Sequence, residues 1–204
     1  MNLLREACCP TLEAVKAAPA AGAGRIELCE RLDVGGVTPS EAFLREALAS
    51  TRLPIHVLVR PREGDFVYSE AEVETMLSSI ALCRRCGAAG VVIGALDAGG
   101  RVDIPVMKRL MEASEGLSVT FHRAFDESAD PMQALEDIIG LGCDRLLTSG
   151  HAPDAFSGRF LIARLVRRAA GRIIVMPGRG VRSSNLSALA ETTGAVEFHS
   201  SCWS

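Results

Sequence analysis

Eight short apolar runs with strand character are spaced along the chain, and helical segments separate most of them. They are Asn2–Cys8, a run opening at Arg25, Pro54–Pro61, Gly90–Leu96, Leu117–Ala124, Arg145–Gly150, Arg172–Gly178 and Ala195–Ser201. From Arg25 onward their starts fall near 25, 54, 90, 117, 145, 172 and 195, one βα unit every 23–36 residues. That rhythm is the signature of a parallel sheet with right-handed crossovers. Eight units favour an α/β fold of the closed (β/α)8, or TIM barrel, type, and 204 residues sits at the lower size limit of that fold. An open doubly wound sheet usually has fewer strands and a G-x-G-x-x-G turn after the first, which this chain lacks. No linker, charge block or low-complexity run divides the sequence, so residues 1–204 are read as one domain. No helix follows the eighth run, which predicts a barrel whose eighth helix is absent or truncated. A neighbouring subunit covering the gap would make the protein a homo-oligomer, a dimer or tetramer.

The helix starts carry local signals. Ser69 and Glu72 have capping-box spacing ahead of a helix reaching about Cys86. Asp103 and Asp130 suit N-caps, with Pro131 at a first helical position. Ser40 is placed to cap Glu41–Ser50, and Ser183 to cap Asn185–Thr193. The first helix is expected over Thr11–Ala21, with Pro19 kinking or ending it.

A net charge of −3 and a pI near 5.8 give no reason to expect a nucleic acid or an anionic membrane as partner. No apolar run approaches the roughly 20 residues of a spanning helix. MNLLREACC lacks the apolar core of a signal peptide, so a cytoplasmic location is expected. Seven cysteines in such a chain point to free thiols in a reducing compartment.

Strand parity then selects candidate site residues. Successive strand side chains alternate faces, and the helix-facing side of a barrel strand must be apolar. The polar set Glu27, Cys29, Arg60, His122, Thr148, Glu197 and His199 therefore faces the lumen, near the C-terminal mouth where barrel active sites lie. Some of these residues could simply pair, as Glu27 with Arg60 would. A full ring of buried charges is costly unless paired or used, however. Glu27, Arg60, His122, Glu197 and His199 are accordingly candidates for general acid–base chemistry.

Cys8 ends the first strand and Cys29 the second, which makes them neighbours on one rim. Two thiolates can hold a soft ion such as Cu(I) in low coordination, although buried free cysteines also serve as small hydrophobes. Cys83-x-x-Cys86 lies late in a helix, without a second ligand pair, and reads as structural. Ser149-Gly150 and Pro177-Gly178-Arg179-Gly180 follow strands six and seven, where many barrels bind phosphate through backbone amides. Ser149, Gly150, Gly178 and Gly180 either form such an anion site or merely allow tight turns. The loop Arg60–Ser69 offers arginines and aromatics to a polar or anionic ligand, or holds itself through an Arg–Asp pair.

The motifs REACC (5–9), RIELC with GGVTPS (25–40), RPREGDFVYS (60–69), GALDAGGRVD (94–103), TFHRAFD (120–126), LLTSG (146–150), VMPGRGV (175–181) and EFHSS (197–201) closely resemble those of the CutC family of copper homeostasis proteins. They occur in family order over nearly the whole chain. The resemblance implies a TIM barrel, a cytosolic oligomer and a link to copper tolerance, with Cu(I) held by thiols at Cys8 and Cys29. Two departures stand out: family members usually continue well past EFHSS, and Glu63-Gly64 and Arg179 replace small residues common in the family. Two functions are thus expected from the sequence. One is a Cu(I)-binding copper homeostasis protein; the other is an enzyme acting on a small anionic or phosphorylated metabolite.

Overall fold

A computed structural model describes residues 3–201 and 203, and shows eight parallel strands curled into a nearly closed barrel with helices outside. The strands are β1 (Leu4–Cys9), β2 (Arg25–Leu28), β3 (Ile55–Leu58), β4 (Gly90–Ile93), β5 (Ser118–Phe121), β6 (Arg145–Thr148), β7 (Ile174–Pro177) and β8 (Glu197–Ser200). Their order is β7-β6-β5-β4-β3-β2-β1-β8, and β7 and β8 lie side by side at the seam. The expected TIM barrel is the observed fold. The part of the first expected run at Asn2 lies outside the described residues.

The helices are α1 (Leu12–Ala17), α2 (Glu41–Ser50), α3 (Glu70–Cys86), α4 (Ile104–Ala113), α5 (Pro131–Leu141), α6 (Arg159–Ala169) and α7 (Leu186–Thr193). Thr11 caps α1, which stops at Ala17, short of the Pro19 that cannot continue it. Ser40 caps α2, Ser69 and Glu72 close a full capping box on α3, and Asp103 and Asp130 cap α4 and α5. Ser183 does not cap α7. Its hydroxyl donates to the Trp203 carbonyl, and Asn185 precedes the helix without a side-chain capping bond.

Most of the apolar core lies between sheet and helices, where Ile26, Leu28, Phe121, Phe198 and their neighbours on alternate strand positions are fully buried. A second, small apolar cluster of Cys8, Cys29, Leu58 and Val92 lies inside the barrel. Among the described residues no helix follows β8. Trp203 instead folds back, buried, with its indole N–H donating to the Glu6 carbonyl at 2.9 Å and the Arg5 guanidinium over its ring.

Candidate metal centre

Three neighbouring strands supply the centre of the site. On β1, Glu6 and Cys8 alternate inward; on β2, Arg25 and Glu27 do so, with Cys29 just beyond the strand; on β8, Glu197 and His199 do so. The register sets Glu6 opposite both Arg25 and His199, and Cys8 opposite Glu27. Polar side chains therefore stack in two levels.

The lower level is a compensated ion network. Arg25 donates to Glu6 and, at 2.6 Å, to Glu197, which also accepts from Arg145 at 2.7 Å. His199 Nδ1 lies 2.8 Å from Glu6 Oε1. Burial alone would raise the pKa of Glu6, but the His199 bond and the Arg25 charge outweigh it and hold the carboxyl down at about 2. For His199 the opposing burial is overcome by the charge of Glu27 and the bond to Glu6, so its pKa is raised.

The upper level holds the thiols. Cys8 Sγ and Cys29 Sγ are 3.6 Å apart, and all six described cysteines are free. The Cys29 contact and burial push the Cys8 thiol up, which favours its protonated form and makes it a poor nucleophile. Cys8, Glu27 and His199 also present ligand atoms that lie within 4.8 Å of one another. Burial raises the pKa of Glu27, partly opposed by His199. Cys9 points the other way, its thiol donating to the Ala7 carbonyl. Two close, buried, unoxidised thiols form a donor set that a soft ion such as Cu(I) fits.

Above these groups a cavity of about 570 Å³ opens at the C-terminal mouth, with Cys8, Glu27, Arg60, His122, Arg179 and His199 in its walls. Arg60 does not pair with Glu27. Its Nη1 donates to the Val34 and Gly36 carbonyls and its Nη2 to that of Gly64, with the guanidinium over Phe66, so it ties together the loops after β2 and β3. Gly36, at φ +89°, makes this close packing possible, because a Cβ there would lie 2.8 Å from Leu58.

His122 is buried, and its Nδ1 accepts the Ala124 N–H at 3.1 Å. Burial, with Arg60 adding to it, lowers its pKa to about 3, which favours the neutral imidazole near neutral pH.

The loop after β6 departs most from expectation. Asp126 accepts the backbone N–H groups of Ser149 and His151 and the hydroxyls of Thr148 and Ser149. The Gly150 amide goes to the Thr148 hydroxyl, and that of Gly178 to the Thr148 carbonyl. The chain's own carboxylate thus takes the place imagined for a phosphate over Ser149 and Gly150, and Gly178 spends its N–H within the sheet. Gly180 stays on the cavity wall. Thr148 is not luminal either: Arg145 reaches into the lumen network and Leu147 lines the cavity, which puts Thr148 on the opposite parity. Sequence reasoning singled out neither Glu6, Arg25 and Arg145 of the lower network nor Asp126. The parity already read for Cys8 and Glu27 would have placed Glu6 and Arg25 beside them.

A parallel barrel with a thiol, carboxylate and imidazole cluster at its C-terminal mouth defines a TIM-barrel protein with a candidate metal centre. Comparison with known proteins then gives the family. The CutC family model matches residues 3–204. A CutC family protein of Parabacteroides distasonis is 50% identical over 202 residues, covering 98% of this chain and 83% of the relative. One from Bacteroides fragilis is 52% identical over 201 residues, covering 97% and 79%. The crystal structure of CutC from Streptococcus agalactiae, a protein named for copper homeostasis, superposes with a TM-score of 0.94 at 31% identity, covering 99% of this chain and all of that one. The chain belongs to the CutC family. A solved structure described as an aldolase (TM-score 0.73, 14% identical) shares the fold alone.

Proposed function

We propose that this protein serves copper homeostasis in the cytoplasm by binding Cu(I) between Cys8 and Cys29 at the barrel mouth. The observation that carries this reading is the 3.6 Å approach of two buried, unoxidised thiols on adjacent strands. Thiolates are soft ligands, and a two-sulfur site selects Cu(I) over harder divalent ions. The ion would displace both thiol protons, since thiolates are the ligating form. Leu58 and Val92 pack against the pair and keep its surroundings apolar. Family membership supports the link to copper. Among the described residues, no helix is long and apolar enough to cross a membrane.

Anaerobic titration with Cu(I) against a competing chelator tests the site. The unmodified protein should bind one equivalent tightly, while Cys8→Ser and Cys29→Ser should each lose at least about tenfold in affinity. Equal affinity in all three proteins would sink the thiol-pair reading.

A further inference from the structure

Glu27 is 5% exposed, lines the mouth cavity and, among the described residues, is ion-paired with no arginine or lysine, its polar neighbours being Cys8 and His199, whereas Glu6 and Glu197, just below it, are each held by an arginine. A buried carboxylate held by no arginine or lysine is costly and calls for an explanation. Its neighbours supply one. Ligand atoms of Cys8, Glu27 and His199 lie within 4.8 Å of one another, and all three residues line the cavity. Tetrahedral Zn²⁺ with bonds of about 2.0–2.3 Å needs donor separations of roughly 3.3–3.8 Å, so movements of about an ångström or less would bring the three donors together.

The imidazole is already oriented for this task. His199 Nδ1 is engaged by Glu6 Oε1 at 2.8 Å, which leaves Nε2 as the nitrogen available to an ion. A carboxylate on the far nitrogen is the usual outer support of a metal-bound histidine, fixing its tautomer and ring orientation. Arg25 in turn holds Glu6. The support therefore runs from Arg25 through Glu6 to His199.

We infer that Cys8, Glu27 and His199 form a second metal site, distinct from the Cys8–Cys29 pair, for a borderline divalent cation of the Zn²⁺ class. One sulfur, one oxygen and one nitrogen donor suit such an ion better than Cu(I), which the two-sulfur arrangement favours. Three protein ligands facing a cavity leave a fourth position for water or a ligand, as in open rather than structural zinc sites. Cys8 belongs to both sets, so the two ions exclude one another. Cu(I) takes the Cys29 side of Cys8, and the divalent ion the Glu27 and His199 side.

Co²⁺, a coloured stand-in for Zn²⁺, tests this in the full chain under reducing, anaerobic conditions. The unmodified protein should develop a thiolate-to-metal charge-transfer band and the visible bands of a four-coordinate ion, both abolished by one equivalent of Zn²⁺ or of Cu(I). Cys29→Ser should keep these bands. Cys8→Ser should lose the charge-transfer band, and Glu27→Gln and His199→Asn should each weaken Co²⁺ binding at least about tenfold. Glu27→Gln and His199→Asn should keep Cu(I) affinity within a few-fold, which separates failure of this site from failure of the thiol pair. Far-UV circular dichroism checks that each variant is folded, and Glu27→Gln leaves the lower ion network intact should His199→Asn unfold. Unchanged Co²⁺ affinity in Glu27→Gln, or bound Co²⁺ without a thiolate band, would overturn the inference.

Discussion

Replacing Arg25 by Met should destabilise the protein by about 3–5 kcal/mol, the cost of removing one partner from a buried ion pair. Arg25 is 3% exposed and bonds Glu6, which is wholly buried, and Glu197. Met fills much of the same volume, so the loss comes mainly from two carboxylates deprived of their shared cation. Neither is left alone, since Glu197 keeps Arg145 at 2.7 Å and Glu6 keeps His199 at 2.8 Å. That places the expectation toward the lower end of the range. For a chain of this length such a loss lowers the melting temperature by roughly 6–15 °C. Urea unfolding at pH 7 should show a lower midpoint with an unchanged slope. In the double variant with Glu6→Gln, the two losses should fall short of adding by at least about 1 kcal/mol, because the second change removes a charge the first had stranded. A loss below about 1 kcal/mol for Arg25→Met, or strict additivity, would refute the claim that this network holds the lumen together.

Two further outcomes can be checked by unfolding experiments. His122 has its folded pKa lowered to about 3, so between pH 6.5 and 5 the unfolded chain takes up a proton that the folded one refuses. Stability that is full above pH 6.5 is therefore lost as pH falls, by up to about 1.4 kcal/mol per pH unit. His122→Asn, which retains an acceptor for the Ala124 N–H, should flatten the plot of stability against pH by that slope, and identical slopes would count against a buried neutral imidazole. His56, lowered to about 4, adds the same trend, Glu27 opposes it, and both are common to the two proteins compared. Gly36→Ala should cost about 1–3 kcal/mol, because φ is +89° and the new Cβ would lie 2.8 Å from Leu58; an unchanged urea midpoint would show that the rim loop relaxes freely.

What could be read from the sequence depended on the range of each interaction. Capping by Ser40, Ser69, Asp103 and Asp130 acts over two or three residues, so spacing alone revealed it. Ser183 has the same residue type in a similar place, yet its hydroxyl turns to the carbonyl of Trp203, twenty positions away. Helix α6 starts from Gly158 with no side-chain cap, so no local signal marked it. Parity brought Glu27, His122, Glu197 and His199 to the lumen because a two-residue period survives as long as the strand does. Thr148 misled for the converse reason: its hydroxyl is satisfied by Asp126, so a polar residue could sit on the helix-facing side. Arg60 lies beyond the end of β3, where polarity no longer indicates a partner, and carbonyls rather than Glu27 hold it.

The two luminal levels differ in one respect that links fold to function. Below, Glu6, Glu197, Arg25 and Arg145 compensate one another; above, no arginine or lysine among the described residues is ion-paired to Cys8, Cys29 or Glu27, and His199 turns to Glu6. Both levels draw on β2, β1 and β8, which are neighbours in the sheet although β1 and β8 stand at opposite ends of the chain. The Glu6–His199 bond spans 193 positions in the sequence and exists only once β8 has paired with β1. The thiol pair, by contrast, needs only β1 and β2, whose cysteines are 21 residues apart. A partly closed barrel can therefore retain the two-sulfur site while losing the imidazole. Changes that weaken the β1–β8 pairing should impair binding of a divalent ion before binding of Cu(I).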